Sequence, residues 1–418
     1  MNKPMPDNEN AFRDLTLNRF LKYARFCTAS DRHVPETPST PGQWDLAKAL
    51  VSELRSLGIK DPLLTDHCYV IAKLAASPGK ETNPTVGYIA HLDTSEEVSG
   101  MGVNPILIDN YDGKIIELGK NLCLDPGSDP DLAAQNGKAI IHADGSTLLG
   151  ADDKAGIAVI MGAAEYLLAH PEIIHGPIEI IFTPDEETGK GLPDFPREYI
   201  RAKQCYTLDG GPMGELEWEC FNAWAAEIRF TGVSMHLGKA RGSMVNAALM
   251  ASVYAAMLPR NESPEATDGY YGYYCPLTIR GDTENALLEV YLRDFSEKEA
   301  ERRLRALDAY ARAVEAQFPG GKAELSPKLQ YRNMKEKINE KPEVLEKLRK
   351  AYLNTGVEIR EKPVRGGTDG SRLTEMGIPT PNIFTGGRNY HSHLEWLSVP
   401  DMAAACRVVI ELSRLWGE

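Results

Sequence analysis

The chain has 418 residues, of which 46 are Lys or Arg and 60 are Asp or Glu, giving a formal net charge of −14. This acidic balance argues against a protein that binds nucleic acid or another polyanion in bulk. Residues 1–10 are polar, and no apolar stretch reaches the ~18 residues that a membrane span requires. The seven cysteines are scattered without a CxxC pair, which is typical of reduced thiols. We therefore expect a cytoplasmic protein without a signal peptide or membrane partner, long enough for two domains.

The first half of the sequence alternates between strand-like and helix-like segments. Apolar residues at helical spacing predict helices, and short β-branched runs predict strands. The predicted helices are 43–57 and 155–168, and the predicted strands are 86–91, 139–142, 178–183 and 206–208. This alternation predicts an α/β fold with a largely parallel sheet, in which ligands bind at the carboxyl ends of the strands.

The sequence changes character near residue 222. Predicted strands and helices now follow the order β-α-β-β-α-β, which is typical of a ferredoxin-like, split-βαβ domain. In chain order these elements are 225–230, 244–258, 277–280, 287–292, 296–318 and 323–331. The α/β pattern resumes after them. We therefore predict a catalytic domain in two parts, 1–221 and 333–418, with an inserted α+β domain at 222–332.

Histidine and carboxylate residues follow several predicted strands, whereas the sequence contains no G-x-S-x-G and no Walker A motif. His91 and Asp93 lie at the end of the strand 86–91. Two residues apart on an extended chain, their side chains point to the same face. The Asp can accept the second ring N–H of a metal-binding imidazole, although a surface His beside an Asp has the same spacing.

Two acidic clusters occupy turns of the same kind. Asp152 and Asp153 precede the helix 155–168, and Asp153 is alternatively a simple helix cap. Asp185, Glu186 and Glu187 follow a buried strand, and adjacent carboxylates raise one another's pKa unless cations or donors neutralise them. This segment is either a solvated acidic loop or a catalytic one. In a catalytic loop one Glu binds a metal ion and its neighbour acts as the general base.

Asp209 follows another predicted strand, and His391 supplies a second imidazole near the C-terminus. Each residue alone is equally consistent with a structural role. Together, two imidazoles and three or more carboxylates at strand ends are what a hydrolase with two metal ions requires. Nitrogen and oxygen ligands without a thiolate favour zinc at a catalytic site, with one carboxylate bridging two ions.

Seven segments resemble the peptidase T family, the tripeptide aminopeptidases of the dizinc exopeptidases. That wider family also includes glutamate carboxypeptidase, aminoacylase and succinyl-diaminopimelate desuccinylase. The segments are AHLDTSEEVSG (90–100), LLGADDKAGIAVIM (148–161), FTPDEETGKG (182–191), YTLDGGPMGELE (206–217), GGTDGSRL (366–373), PNIFTGG (381–387) and YHSHLEW (390–396). Two further segments, 38–59 and 104–124, are similar too, so the resemblance covers nearly the whole chain.

This resemblance implies a zinc-exopeptidase catalytic domain, with the inserted domain as a lid and dimerisation surface. It implies cleavage of the N-terminal peptide bond of short peptides, most of all tripeptides. The implied cofactor is Zn²⁺, two ions per chain, for which Co²⁺ or Mn²⁺ can substitute. A homodimer through the inserted domain is a further expectation.

The resemblance also implies the metal ligands: His91 and Asp209 for the first ion, Glu187 and His391 for the second, and Asp152 for both. Asp93 would orient His91, and Glu186 would be the general base. The family places the second imidazole four residues before a Glu, which selects His391 because Glu395 follows it.

Four residues match positions that contact the substrate in that family: His236, Asn246, Arg293 and Arg365. His236 would stabilise the tetrahedral oxyanion, and Asn246 would hold the substrate. Arg293 and Arg365 would bind the peptide carboxylate, for which a planar guanidinium is well shaped. Alternatively, Arg293 is a charge on a strand face and His236 is a hydrogen-bonded loop histidine.

The pocket rim departs from the family pattern, which leaves other functions open. His-Ser-His-Leu-Glu stands at 391–395, where peptidase T has His-Gly-Lys-His-Glu, and Pro212-Met213 follows the Asp-Gly-Gly segment. The same metal ligands would serve an N-acyl amino acid deacylase or a carboxypeptidase. A noncatalytic metal-binding protein is a third hypothesis, which the presence of Glu186 disfavours.

Overall fold

The structure of the protein is a computed structural model that describes residues 9–119 and 121–418. Most of the polar segment 1–10, on which the expectation of no signal peptide depends, lies outside the described residues. Among the helices that are described, none combines the length and the apolar character needed to cross a membrane.

The helices, numbered in chain order, are α1 (Glu9–Tyr23), α2 (Pro41–Ser56), α3 (Pro130–Ala133), α4 (Ala151–Ala169), α5 (Ala247–Met257), α6 (Glu297–Gln317), α7 (Lys335–Asn339), α8 (Glu343–Asn354), α9 (Asp369–Glu375) and α10 (Val399–Trp416). The strands are β1 (Leu63–Leu64), β2 (Val70–Leu74), β3 (Val86–His91), β4 (Ile106–Ile108), β5 (Ile116–Glu117), β6 (Cys123–Leu124), β7 (Ile140–His142), β8 (Ile178–Thr183), β9 (Gln204–Gly210), β10 (Glu215–Glu217), β11 (Asn222–Thr231), β12 (Tyr273–Gly281), β13 (Asn285–Asp294), β14 (Lys322–Tyr331), β15 (Arg360–Glu361), β16 (Asn382–Phe384), β17 (Gly387–Arg388) and β18 (Trp396–Ser398).

The chain forms two compact units. The first consists of the chain up to Trp218 together with Lys337–Lys362 and Thr368–Glu418, and the second consists of Glu219–Glu336 and Pro363–Gly367. The sequence places the inserted domain at 222–332 and does not predict the return of 363–367 to it. These residues join the second unit because the N–H of Val364 donates to the carbonyl of Glu219, at 2.8 Å.

The first unit is built on an eight-stranded sheet of order β1-β2-β8-β3-β9-β16-β10-β15. Its middle strands β8, β3, β9 and β16 are parallel neighbours. β3 and β8 are buried at every position, as expected of parallel strands that are covered on both faces. The predicted mixed, largely parallel sheet is confirmed, and the carboxyl ends of β8, β3 and β9 meet at one edge.

Helices cover one face of this sheet. α4 packs on β3 and β9, and α1 and α10 pack against α4. Because α4 is surrounded by these elements, nearly all of its residues between Ala155 and Leu167 are buried. On β3, the hydroxyl of Tyr88 donates to the carbonyl of Val409 in α10, whereas Ile89 belongs to an apolar cluster with Tyr69. Successive strand residues thus face opposite layers.

The strand predicted at 139–142 does not join the parallel sheet. As β7 it lies in a separate antiparallel sheet of order β17-β18-β7-β4, where Trp396 pairs with His142. A short apolar run has no periodicity that distinguishes a parallel strand from an antiparallel one, so the sequence alone did not assign it to this sheet.

The second unit is an antiparallel sheet of order β12-β13-β11-β14 packed on α5 and α6. Its core includes Ile228, Tyr254, Leu288 and Leu307. The order β11-α5-β12-β13-α6-β14 is the predicted βαββαβ arrangement, and its helix starts carry their own caps. The hydroxyl of Ser296, for example, accepts the N–H of Glu299 before α6.

Candidate metal centre

The five predicted ligands form two overlapping groups in the first unit: His91, Asp152 and Asp209, and Asp152, Glu187 and His391. The ligand atoms within each group lie within 4.8 Å of one another. The sheet explains this convergence. His91 ends β3, Asp209 lies at the end of β9, and Glu187 follows β8, and these three strands are neighbours with their carboxyl ends at one edge.

Asp152 is shared between the two groups. Its Oδ1 lies 2.8 Å from Nε2 of His91, and its Oδ2 lies 3.2 Å from Nε2 of His391. Asp209 completes the first group, with Oδ1 3.7 Å from Nε2 of His91, and Glu187 completes the second, with Oε1 3.0 Å from Nε2 of His391. One carboxylate oxygen thus faces each group, as a bridging ligand between two cations requires.

The His91 ring lies beside Asp93, the residue that the sequence predicts to orient it. Nδ1 lies 3.1 Å from the main-chain oxygen of Asp93 and 3.3 Å from its carboxylate, which leaves Nε2 facing Asp152. The Asp93 carboxylate is fully buried and also accepts the N–H groups of Glu186, at 3.0 Å, and Glu187, at 3.2 Å. Asp93 therefore connects the end of β3 with the acidic loop after β8.

Asp185 anchors this acidic loop from its other side. Its buried carboxylate accepts the N–H of Ser39, at 2.7 Å, the Ser39 hydroxyl, at 2.5 Å, and Nε2 of Gln43, at 2.7 Å. Its φ of 52° lies in the left-handed region, which Asp tolerates better than most residues. Asp185 thus forms a turn whose backbone is held by these hydrogen bonds, and this turn positions Glu186 and Glu187, which follow it.

Glu395 holds the start of α4, where Asp152 is located. Its two carboxylate oxygens accept four consecutive main-chain N–H groups, those of Leu149, Gly150, Ala151 and Asp152, at 2.7, 2.8, 2.7 and 3.2 Å. A carboxylate is well placed at these unsatisfied donors. The first turn of α4 is irregular, with ψ of 103° at Asp152 and a cis peptide bond between Asp152 and Asp153.

Asp153 does not cap α4, which was the structural alternative for this residue. Gly150 occupies the cap position with φ of 78° and, as a glycine, has no side chain that could cap the helix. The Asp153 carboxylate instead accepts the main-chain N–H of His91, at 3.0 Å. It therefore connects α4 with the end of β3, beside the first group of ligands.

The pKa values of these side chains are shifted because several acidic groups are buried close together. Burial and the charge of Asp152 raise the pKa of Glu187 to about 8 and that of Asp209 to about 6. Burial also raises the pKa of Glu186 well above its ordinary value. Burial lowers the pKa of the His391 imidazole, but hydrogen bonds to Asp152 and Glu187 outweigh this and raise it to about 11.

These shifts describe a cluster that divalent cations would stabilise. Cations favour the ionised carboxylates, which burial and crowding disfavour here, and the neutral imidazoles, which the hydrogen-bonded carboxylates disfavour. Two imidazole nitrogens and three carboxylates, one of them shared, form a donor set suited to a pair of such ions.

The four predicted substrate residues lie in the second unit. The exposed His236 accepts the N–H of Gly238 on Nδ1, at 3.2 Å, which leaves Nε2 to carry the ring proton. Asn246 caps α5 by accepting the N–H of Leu249, at 3.1 Å. Arg293 donates to the carbonyls of Trp224 and Leu292, whereas Arg365 donates to those of Thr267, Gly269 and Tyr271.

Several residues that orient the centre are not among the predicted site residues: Ser39, Gln43, Asp153, Asp185 and Glu395. The sequence places Asp153 and Asp185 in acidic clusters and uses Glu395 to select His391, but it does not predict the contacts of these three residues. The position of Asp185 directly before two glutamates is a sequence signal for its role. Ser39 and Gln43 carried no local signal, because their partner is more than a hundred residues away.

The sequence of the chain is similar to those of known peptidases. The profile of "Peptidase family M20/M25/M40" matches residues 133–414. The chain is 45% identical to Peptidase T of Bacillus licheniformis over 404 residues, which cover 96% of this chain and 98% of that protein. It is also 45% identical to Peptidase T of Listeria monocytogenes, with the same coverage.

Solved structures share the fold. Aminopeptidase PepT from Bacillus cereus superposes with a TM-score of 0.75 at 22% identity, covering 97% of this chain and 99% of that one. A tripeptidase from Staphylococcus aureus also gives a TM-score of 0.75, at 19% identity, covering 98% and 99% of the two chains. The fold of this chain thus recurs in known structures.

Proposed function

We propose a function from one premise: this chain belongs to the peptidase family M20/M25/M40. It is a peptidase, and we infer that it is a dizinc aminopeptidase that releases the N-terminal residue of short peptides, most of all tripeptides. The observation that carries this proposal is the shared carboxylate of Asp152, which directs one oxygen to each of two ligand groups. Peptidase T relatives at 45% identity support the tripeptide preference.

Zinc is the proposed metal, two ions per chain, with Co²⁺ or Mn²⁺ as substitutes. His91 and Asp209 would hold one ion, Glu187 and His391 the other, and Asp152 both. When bound, the two ions would polarise the scissile carbonyl and lower the pKa of a water molecule from ~15.7 toward ~7.

Glu186 is the proposed general base. It accepts the proton of the attacking water and returns it to the amine that leaves with the shortened peptide. The Asp93 carboxylate fixes the backbone N–H of Glu186, at 3.0 Å, and so sets the position of this base relative to the ligand Glu187. A buried base of raised pKa holds the transferred proton readily, because burial disfavours its charged form.

His236, Asn246, Arg293 and Arg365 are the proposed substrate contacts. The Nε2 proton of His236 would be donated to the oxyanion, a contact whose loss typically costs about 3 kcal/mol of barrier. Asn246 would hold the substrate by its amide, while its Oδ1 caps α5. Arg365 would exchange main-chain carbonyls for the carboxylate of the peptide, and Arg293 would assist it.

The proposed setting is the cytoplasm, with short peptides as substrates and a second copy of the chain as partner. The supporting feature for a homodimer is β12, an edge strand of the second sheet that exposes Leu277 and Ile279. Exposed apolar edge strands pair readily with another chain. Sedimentation analysis of the purified protein tests this assembly.

Hydrolysis of one tripeptide, beside its N-acetylated form, tests the proposed activity. We expect cleavage of the free-amine peptide alone, loss of cleavage with a chelator, and recovery with zinc. Preference for the acetylated peptide would assign the chain to the N-acyl amino acid deacylases, and release of the C-terminal residue would make it a carboxypeptidase. Full activity in the chelator would refute the metal chemistry altogether.

A further inference from the structure

The backbone ladder between β9 and β16 is interrupted beside the ligand Asp209. Asn382 pairs with Thr207 and Phe384 with Gly210, so the register shifts between these two pairs. Before the shift, the N–H of Thr207 donates to the carbonyl of Pro381. At the shift, the N–H of Asp209 donates to a side chain, Oδ1 of Asn382, at 3.0 Å.

A second side chain holds the Asn382 amide in this orientation. Nδ2 of Asn382 donates to Oε2 of Glu217, at 2.7 Å, and Glu217 is the residue that pairs with Asn382 across β10 and β16. The main-chain N–H of Asp209 can only donate, so it selects the carbonyl side of the Asn382 amide. The NH₂ side then faces Glu217, which accepts from it. Asn382 is fully buried, with 1% of its surface exposed.

We propose that Asn382 is a positioning residue for the metal ligand Asp209, and that Glu217 orients Asn382. Because Asn382 bonds the backbone N–H of Asp209, it fixes the backbone position from which the Asp209 side chain extends. Asp209 belongs to the group with His91 and Asp152 and not to the group with Glu187 and His391. The contacts from Glu217 to Asn382 and from Asn382 to Asp209 therefore affect the binding of only one of the two proposed ions. This inference rests on the proposed function, since it assumes that both groups bind a cation.

Zinc titration of the purified protein tests the proposal, with the affinity of each of two equivalents measured separately. In Asn382→Leu we expect one equivalent to bind about 10–100-fold more weakly and the other to bind as in the unaltered protein. Glu217→Ala should weaken the same equivalent. Glu217→Gln should restore it, because a glutamine carbonyl still accepts from Nδ2 of Asn382.

Two further variants separate positioning from general loss of stability. Thr16→Val removes a buried hydrogen bond of the same unit, the one from the Thr16 hydroxyl to the carbonyl of Phe12 in α1, remote in sequence from every proposed ligand. It should leave both zinc affinities unchanged. The second is a His391→Ala background, in which zinc binds at the first group alone; adding Asn382→Leu there should weaken that remaining equivalent.

Each outcome decides the proposal. Equal zinc affinities in Asn382→Leu, Glu217→Ala and the unaltered protein would overturn it, as would an equal loss of both equivalents. If Asn382→Leu does not fold, the contrast between Glu217→Ala and Glu217→Gln still decides. Absence of zinc binding in the unaltered protein would instead refute the proposed function, so the two failures are distinguishable.

Discussion

A Cβ atom on Gly156 would overlap the carbonyl oxygen of Leu208, because α4 lies directly against β9 at this point. The close approach brings the first turn of α4, which carries Asp152, to the end of β9, which carries Asp209. A larger residue at this position would have to push the helix away from the strand. Gly156 is thus part of the geometry that brings the Asp152 carboxylate close to that of Asp209.

Gly156→Ala should therefore destabilise the protein by about 1–3 kcal/mol, the usual cost of overpacking, and weaken metal binding. Thermal unfolding and zinc stoichiometry measure the two effects. Gly162→Ala on the same helix is the matched control, because its Cβ would meet Thr16, Leu15 and Cys406 at ordinary contact distances. That variant should be neutral or about 0.5–1 kcal/mol more stable. Equal behaviour of the two variants would contradict the close approach.

Glu186→Ala should lose activity by a factor of about 10²–10⁴ in kcat and keep both metal ions, since Glu186 is the proposed base and not a proposed ligand. Tripeptide hydrolysis and metal analysis of the same sample provide the test. The control is Glu172→Ala, which removes an exposed carboxylate paired with His170 and should change neither quantity. A fully active Glu186→Ala protein would remove the proposed base.

The two histidines should be separable by metal content. His391→Ala should bind one ion firmly and lose the other, and His91→Ala should do the reverse. Asp152→Ala should lose both, because its two oxygens face the two histidines separately. Elemental analysis after dialysis counts the ions. An Asp152→Ala protein that retains two ions would show that this carboxylate is not a shared ligand.

Removal of the metal should give a protein whose stability decreases as the pH rises. The pKa values of Glu187 and Asp209 are raised in the folded chain, to about 8 and about 6, so the folded state holds protons that the unfolded state has released. His391, with its pKa raised to about 11, acts in the same direction once its unfolded value is passed. Stability of the metal-free protein should thus fall as pH rises from about 5 to about 8.

The metal-loaded protein should behave oppositely in this range, because cations bind the deprotonated carboxylates and gain affinity as pH rises. Melting temperatures across the range, with chelator and with zinc, should therefore diverge toward high pH. Parallel curves would show that the buried acids do not hold the metal.

Glu395→Gln should weaken metal binding through Asp152 without removing any ligand. A glutamine presents one acceptor oxygen in place of two, so part of the four N–H contacts at the start of α4 is lost. The loss of metal affinity should be about 10–100-fold, the range for partners that orient a ligand. Zinc titration measures it. The control, Glu411→Gln, alters a carboxylate on α10 that pairs with Arg414 and should leave the affinity unchanged.

Much of this protein was predictable from local patterns. The run at 178–183 is buried at every position as β8, and 296–318 is the amphipathic α6 with its Ser296 cap. The rule that ligands collect at the carboxyl ends of parallel strands predicts that His91, Glu187 and Asp209 lie at one edge of the sheet, where the structure places them. These inferences held because they depend on residues that are close in sequence or on a general property of parallel sheets.

What the sequence alone determined was therefore the set of chemical groups, the two-unit architecture and the edge of the sheet where the groups meet. The tertiary structure alone decided how they are held: Asp152 with one oxygen toward each histidine, Glu395 on the start of α4, and Asn382 on Asp209. Glu395 and Leu149 are 246 residues apart, and Asn382 and Asp209 are 173 apart. Hydrogen bonds over such separations arise only when packed elements bring their partners within about 3 Å, and no local pattern in a sequence encodes that distance.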